Sequence, residues 1–93
     1  QILCRNFRCR QGEIDIIARD RDYLVFIEVK YRRDEHEGDP AEAVDARKQA
    51  RILHTARYYM TRYHISEDTP CRFDVVAVLG SNVRLIRDAF WCG

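Results

Sequence analysis

The apolar segment at residues 23–31, with the sequence YLVFIEVKY, constrains the fold more than any other part of this chain. It is rich in β-branched and aromatic residues, as strands are. Its first half is apolar at consecutive positions, a pattern typical of a strand that is buried on both faces. We therefore predict a central strand here. Glu28 and Lys30 lie in its second half, and charged groups in such a strand require a partner or a function.

Shorter strands and one long helix are predicted around this segment. Residues 2–8 indicate an edge-like strand, and residues 13–19, 71–79 and 83–90 indicate three more, separated by turn signals at 11–12, 20–22 and 80–82. Apolar residues at helical spacing predict one amphipathic helix that ends near Tyr63. Asp39 followed by Pro40 is a good helix start, and Asp45 is a second possible N-cap.

These elements define the expected architecture. The order β-β-β-α-β-β predicts an α/β fold with a mixed sheet of about five strands and one long helix. The chain has 93 residues, a length that fits one domain, so we expect residues 1–93 to form a single domain.

Basic residues are numerous and are almost all arginine. Of the 16 Lys and Arg side chains, Lys30 and Lys48 are the lysines, and the net charge is only +1. Arginine suits phosphate recognition because its planar guanidinium binds in a bidentate manner. A GC-rich genome would produce the same bias through codon usage, and both explanations stay open.

Two groups of basic residues could contact a nucleic-acid backbone. Arg47, Lys48 and Arg51 lie at helical spacing, and Arg5 and Arg8 follow one another along the first predicted strand. Such rows can contact successive phosphates. Ordinary solvated faces would have the same composition, so this alternative also stays open.

The cysteines and the hydropathy pattern indicate a cytoplasmic protein. The four cysteines, at positions 4, 9, 71 and 92, lack a C-x-x-C spacing, and no signal peptide is visible. We read them as free thiols in a reducing compartment. No apolar run approaches the ~18 residues that a membrane span needs, so a membrane partner is not expected.

One cluster of charged residues could carry out chemistry. Glu28 and Lys30 are two apart on a strand and share a face. A hairpin turn centred between residues 21 and 22 would place Asp15 opposite Glu28 and Glu13 opposite Lys30, with the two acidic Cβ atoms ~5 Å apart. Facing carboxylates repel, and a divalent cation such as Mg²⁺ would remove that repulsion by binding both.

In this hypothesis Lys30 stabilises developing charge or positions a water molecule, and Glu13 is a possible accessory residue. The alternative is a surface charge cluster in which Lys30 pairs with Glu13 or Glu28.

Asp15 followed by Glu28-Val29-Lys30 resembles the D…(D/E)-x-K signature of the PD-(D/E)XK restriction-endonuclease-like nucleases, with a spacing similar to archaeal Holliday-junction resolvases. More specifically, the chain resembles the YraN-like bacterial family of uncharacterised proteins. The matching stretches are residues 5–8, 12–18, 25–30, 42–44, 48–49 and 72–76.

This resemblance implies a restriction-endonuclease-like fold and a Mg²⁺- or Mn²⁺-dependent cleavage of phosphodiester bonds. It implies Asp15 and Glu28 as metal ligands and Lys30 as the catalytic lysine. It also implies a helix that precedes Gln1 and carries a further Glu.

We therefore expect a metal-dependent endonuclease that acts on DNA, including branched or junction DNA, with RNA not excluded. A non-catalytic nucleic-acid-binding module that works with a partner in repair or recombination is the alternative, and a purely structural domain is a third. An uncovered sheet face would be available to a second copy of the chain, so a homodimer is a further expectation.

Overall fold

Five strands form one mixed sheet in the computed structural model, which describes residues 1–32 and 45–90. The spatial order follows the chain, β1-β2-β3-β4-β5, with β3 in the centre as predicted. All neighbouring strands are antiparallel except β3 and β4, which are parallel. The elements are β1 (Ile2–Cys9), β2 (Gly12–Asp20), β3 (Tyr23–Arg32), α1 (Ala46–Arg62), β4 (Cys71–Leu79) and β5 (Asn82–Ile86).

The helix α1 lies between β3 and β4 in the chain because parallel neighbours need a long crossover connection. This arrangement confirms the predicted fold class, an α/β fold with a five-stranded mixed sheet and, among the described residues, one helix.

The core lies between α1 and one face of the sheet. Ile52, Ala56 and Tyr59 form the buried side of the helix. The Tyr59 ring packs edge-on against Phe26 of β3, with 6.2 Å between the ring centroids. Phe26 stacks in turn on Phe73 of β4 at 5.3 Å. Burial of these large side chains supplies the main stabilisation of a domain of this size.

The contact of Phe26 with the helix shows on which face of the sheet the charged residues of β3 lie. Side chains two apart on a strand share a face, so Phe26 and Glu28 point to the helix side, as does Lys30. The same face therefore changes from apolar to charged along β3, and the charged part lies beyond the hydrophobic core.

The strands β1 and β2 both depart from the regular alternation of buried and exposed side chains. Ile14 and Ile17 belong to one buried cluster although they are three residues apart, and Cys4 and Phe7 of β1 both pack against that cluster. Between them Asn6 has a φ of 54°, a left-handed conformation typical of irregular strand positions. The register of β1 against β2 shifts between Ile2 and Cys4 and is regular from Cys4 to Cys9.

The helix and the last strand have different bounds from those predicted. Asp45 is the N-cap of α1, with an extended backbone and a carboxylate that accepts the Lys48 N–H, so the second of the two predicted starts is correct. The start at Asp39 lies outside the described residues. The last strand ends at Ile86 instead of continuing to residue 90.

Asp74 explains why the last strand ends early. This carboxylate is 1% exposed, and it accepts hydrogen bonds from Arg72 Nε at 3.0 Å and from the N–H of Asp88 at 2.9 Å. A buried carboxylate requires such partners. Asp88 has a φ of 53°, and the chain after it turns back so that the Ala89 N–H donates to the Phe73 carbonyl. The turn that satisfies Asp74 thus replaces the end of the predicted strand.

A side chain added at Gly12 of β2 would contact α1, so this glycine provides a test of the packing between the two. Its φ is 152°, and an added Cβ would lie 3.3 Å from Thr55 Oγ1. We expect Gly12→Ala to lower the free energy of unfolding by about 1–3 kcal/mol, because alanine is strained there and the hydroxyl must move.

Gly80→Ala is the matched control for urea unfolding, because Gly80 also has a positive φ of 57° but an added Cβ would meet nothing within 4 Å. A smaller loss at Gly12 than at Gly80 would contradict the proposed close packing.

Candidate active site

Asp15 is held in the gap that opens where β2 and β3 stop pairing. The paired register runs from Asp20–Tyr23 to Ile16–Ile27 and ends there. Beyond it, the Val29 N–H donates to Asp15 Oδ2 at 2.8 Å, so a side chain replaces the missing strand partner. A carboxylate has about four acceptor positions, and this bond therefore leaves Asp15 able to bind a cation as well.

Glu28 and Lys30 lie next to this anchored carboxylate. Lys30 Nζ is 3.5 Å from Glu28 Oε1, and the two side chains are 20% and 17% exposed. Burial raises the pKa of Glu28, the negative charge of Asp15 raises it further, and Lys30 and Lys48 act in the opposite direction. The charge of Asp15 therefore acts on Glu28, and the shared role of the two carboxylates stays a prediction.

Lys48 joins this group from the first turn of α1. The neighbouring Lys30 and partial burial lower the pKa of Lys48, whereas Glu28 and Asp45 act in the opposite direction. We predicted Lys48 as part of a phosphate-contacting stripe on the helix and not as a member of the acidic site. The bias toward arginine offered a signal, since both lysines of the chain act on the pKa of Glu28.

The predicted hairpin register is correct from Ile16 to Asp20 but does not extend further. The expected backbone pairs of Asp15 with Glu28 and of Glu13 with Lys30 are not part of the ladder. Glu13 instead accepts a hydrogen bond from Arg8 Nε at 2.8 Å across β1 and β2, and both side chains are largely exposed. The prediction that Glu13 lies opposite Lys30 is therefore wrong. The strands separate after Ile16, and Glu13 stays with the edge strand.

The other predicted basic residues lie on the surface. Arg5, Arg47 and Arg51 are exposed, and Arg8 is also exposed although it pairs with Glu13. Arg51 lies near Gly12, since its Cβ would be 3.7 Å from a Cβ added to that glycine.

The chemistry of the site suits a small divalent cation. Among the described residues no group of three or more His, Cys, Asp or Glu side chains is arranged to hold a metal. Mg²⁺, however, commonly binds through one or two carboxylates and keeps water and phosphate oxygens as its other ligands. Asp15 and Glu28 supply two such carboxylates. Burial is the first cause of the raised pKa of Glu28 and the charge of Asp15 the second, and a cation would offset both.

The cavities of the domain lie elsewhere. One of about 710 Å³ is lined by residues of α1 and β4 such as Met60 and Cys71, and it includes none of the four charged site residues. In the described part of the chain, no helix has the length and apolar character to cross a membrane.

The described cysteines agree with the absence of a disulfide framework. Cys4, Cys9 and Cys71 form no disulfide within residues 1–32 and 45–90. Cys92 lies outside the described residues.

The fold and the site together define an α/β protein with two carboxylates and two lysines gathered beside a central strand. Residues 1–78 match the model of a family described as the uncharacterised protein family UPF0102, and the chain belongs to this family. A UPF0102 protein of Lachnoclostridium phytofermentans is 57% identical over 90 residues, which cover 97% of this chain and 76% of that protein.

Other relatives carry the same description. A UPF0102 protein of Nitrosococcus oceani is 46% identical over 92% of this chain and 73% of its own length. One from Clostridium botulinum is 50% identical over 96% of this chain and 77% of its own length. The comparisons therefore agree with the family resemblance of the sequence, and their descriptions assign no activity.

The raised pKa of Glu28 predicts a specific dependence of stability on pH. A carboxyl group whose pKa is higher in the folded protein adds stability while it is protonated, and that stability is lost as pH rises through the folded pKa. In metal-free protein we expect Glu28→Gln to raise the free energy of unfolding at pH 7. The gain should vanish below the ordinary Glu pKa of 4.5, where both states hold the proton.

Urea unfolding in EDTA at several pH values measures this difference, and the exposed Glu67→Gln is the matched control for loss of a carboxylate. A destabilisation by Glu28→Gln that is equal at pH 4 and pH 7 would contradict the assignment of the repulsion to Glu28.

Proposed function

We propose that this protein is a metal-dependent endonuclease that hydrolyses phosphodiester bonds in DNA, including branched or junction DNA. The observation that carries the proposal is the convergence of Asp15 and Glu28, reflected in the pKa of Glu28, with Lys30 at 3.5 Å from Glu28. A carboxylate with a raised pKa that faces a lysine is typical of a catalytic site and costly in a purely structural one.

Each residue has a role that follows from its position. Asp15 and Glu28 would hold Mg²⁺ or Mn²⁺, and the bond from the Val29 N–H keeps Asp15 oriented toward it. The cation, when bound, would polarise the scissile phosphate and offset its negative charge. Lys30 lies one step along the same face, where its ammonium can stabilise charge that develops in the transition state or orient the attacking water.

A nucleic acid fits the surroundings of the site better than a small phosphate ester. The cavity described above includes none of the site residues, and Arg47 and Arg51 are exposed on α1. Arginine contacts to phosphates position a duplex without reading its sequence, which suits recognition of DNA shape. RNA has the same backbone chemistry, so a ribose-containing strand belongs in the first assay.

Cleavage of junction, flap and linear DNA tests the proposal directly. We expect Mg²⁺- or Mn²⁺-dependent cutting that EDTA abolishes. Asp15→Asn and Lys30→Met should each lower the rate by about 100-fold or more, because each removes a group that interacts with the transition state.

Glu13→Gln is the matched control, since Glu13 is on the same strand as Asp15 but pairs with Arg8. Its rate should stay within about twofold of the unchanged protein, as expected for an exposed ion pair. Metal-independent cutting, or full activity in Asp15→Asn, would refute the proposal. DNA binding without any cutting would favour the alternative, a non-catalytic nucleic-acid-binding module.

Salt dependence of DNA binding tests the contribution of the arginines. Arg51 is exposed on the helix beside the site, and a phosphate contact releases about one counterion. We expect Arg51→Met to reduce the slope of log affinity against log salt by about 1, in Ca²⁺ so that no cutting occurs.

Arg84→Met removes the same charge from β5 and serves as the control, with no change of slope expected. Equal slopes in all three proteins would place Arg51 outside the binding surface.

A further inference from the structure

The helix α1 concentrates positive charge. Over the whole chain, 16 basic and 15 acidic side chains nearly balance, but Asp and Glu are absent from Ala46–Arg62. The basic residues of the helix are Arg47, Lys48, Arg51, Arg57 and Arg62. Like charges four residues apart, such as Arg47 and Arg51, repel each other and destabilise a helix. The excess of one sign therefore indicates a surface that meets an anionic partner.

Most of this charge lies on one exposed face of the helix, which we call the basic stripe. Its members follow one another at intervals of three or four residues, so they share a face. They are Arg47, Arg51, His54, Tyr58 and Arg62, and all are exposed. In the described part of the chain, no ion pair joins the three arginines to a carboxylate. The stripe is about 22 Å long at the rise of an α-helix, which is the length of several nucleotides of one strand.

Tyr58 adds an aromatic ring to the basic stripe. Its neighbour Tyr59 is buried in the core, whereas Tyr58 is 44% exposed. Phe7 of β1 contacts the Tyr58 ring, with 6.1 Å between the centroids, and holds it in place. Tyr63 is exposed as well, but the Arg62 guanidinium lies over its ring at 5.7 Å. Tyr58 is therefore the ring on which an unpaired base can stack.

The middle of the basic stripe runs beside the start of β2. A Cβ added to Gly12 would lie 3.7 Å from the Arg51 Cβ. Phe7, which contacts Tyr58, pairs in the sheet with Ile14. Gly12 and Ile14 precede Asp15 by three residues and by one, so both contacts lie within about 10 Å of Asp15 along the strand. A nucleic-acid strand bound along the stripe would therefore pass close to the candidate active site.

We infer that the basic stripe binds a single-stranded arm of a nucleic acid, with a base stacked on Tyr58 and phosphates on Arg51 and Arg62. Arginines alone would serve a duplex equally well. A duplex, however, keeps its base faces stacked on one another, and only unpaired bases are free to stack on a protein ring. This inference rests on the proposed function and narrows it, because it favours substrates with a flap or an unpaired arm.

Two other anionic partners fit the helix less well. A basic helix that binds a membrane inserts its apolar side into the lipid. In α1 that side, which includes Ile52, Ala56 and Tyr59, is buried against the sheet. An acidic polypeptide would pair with the arginines, but it gives the exposed ring of Tyr58 no defined role.

Fluorescence polarisation with labelled oligonucleotides tests the stacking on Tyr58. The proteins are the unchanged chain, Tyr58→Leu, Tyr58→Phe and Tyr23→Leu, all in EDTA so that no metal-dependent cutting occurs. The probes are a thymidine strand of about 12 nucleotides, an abasic strand with the same number of phosphates, and a duplex of that length. Tyr23 is the matched control because it is also 44% exposed, but it lies on the face of β3 opposite Phe26 and α1.

We expect the unchanged protein to bind the thymidine strand more tightly than the abasic strand, and Tyr58→Leu to weaken binding of the thymidine strand by about 5- to 20-fold, as for loss of one stacked base. Tyr58→Leu should change the affinities for the abasic strand and the duplex by less than about twofold, because arginines make those contacts. Tyr58→Phe keeps the ring and should bind like the unchanged protein. Tyr23→Leu should bind all three probes as the unchanged protein does.

Equal losses of Tyr58→Leu on the thymidine and abasic strands would overturn the inference, since the ring would then not contact a base. A loss in Tyr58→Phe as large as in Tyr58→Leu would also overturn it, because the hydroxyl would be the group that binds. Equal affinity of the unchanged protein for the two strands would overturn it without any variant, even where circular dichroism shows that Tyr58→Leu does not fold.

Poly-glutamate that binds as tightly as the thymidine strand, with the same loss in Tyr58→Leu, would overturn the inference in favour of an acidic protein partner. These measurements do not depend on cleavage. Absence of cutting by the unchanged protein would refute the proposed function, while binding that requires both a base and the Tyr58 ring would still support the single-strand site.

Discussion

The hydrogen bond from the Val29 N–H to the Asp15 carboxylate is the interaction on which the rest of the site depends. The strands β2 and β3 pair as far as Ile16 and Ile27 and then separate, which would leave backbone groups of a central strand without partners. The carboxylate closes that gap. It therefore has a structural role in holding the two strands together at their point of divergence, and the same role fixes its orientation toward Glu28.

Packing against the helix supplies the second constraint. On the face of β3 that packs against α1, Phe26 is the last apolar residue. It packs against Tyr59, which lies in the second half of the helix. Among the described residues, Glu28 is paired with Lys30 of β3, and Lys48 of α1 also lowers the pKa of Glu28. A bound divalent cation would add positive charge to the site. That charge would stabilise the negative charge that develops on the phosphate in the transition state.

Much of the fold could be predicted from the sequence because it follows from local patterns. The apolar run of β3, the turn between β2 and β3 and the spacing of apolar residues in α1 each have one physical reading. The end of β5 could not be predicted in this way. It depends on Asp74, a buried carboxylate that takes its hydrogen-bond donors from a distant turn.

The site was predictable only in part for a similar reason. Alternation and hairpin symmetry bring Asp15 and Glu28 to neighbouring positions, but they assume that pairing continues regularly along both strands. The separation of the strands after Ile16 removes Glu13 from the site. The position of Lys48 relative to Glu28 depends on how α1 packs across the sheet. The spacing of apolar residues within the helix does not determine that position.

Anomalous scattering from crystals of this protein soaked in Mn²⁺ would show whether Asp15 and Glu28 bind one ion together. We expect one ion within about 2.5 Å of carboxylate oxygens from both residues, with the Val29 N–H still bonded to Asp15. An ion bound by neither carboxylate, or carboxylates that stay paired to lysines with no ion between them at millimolar Mn²⁺, would contradict it.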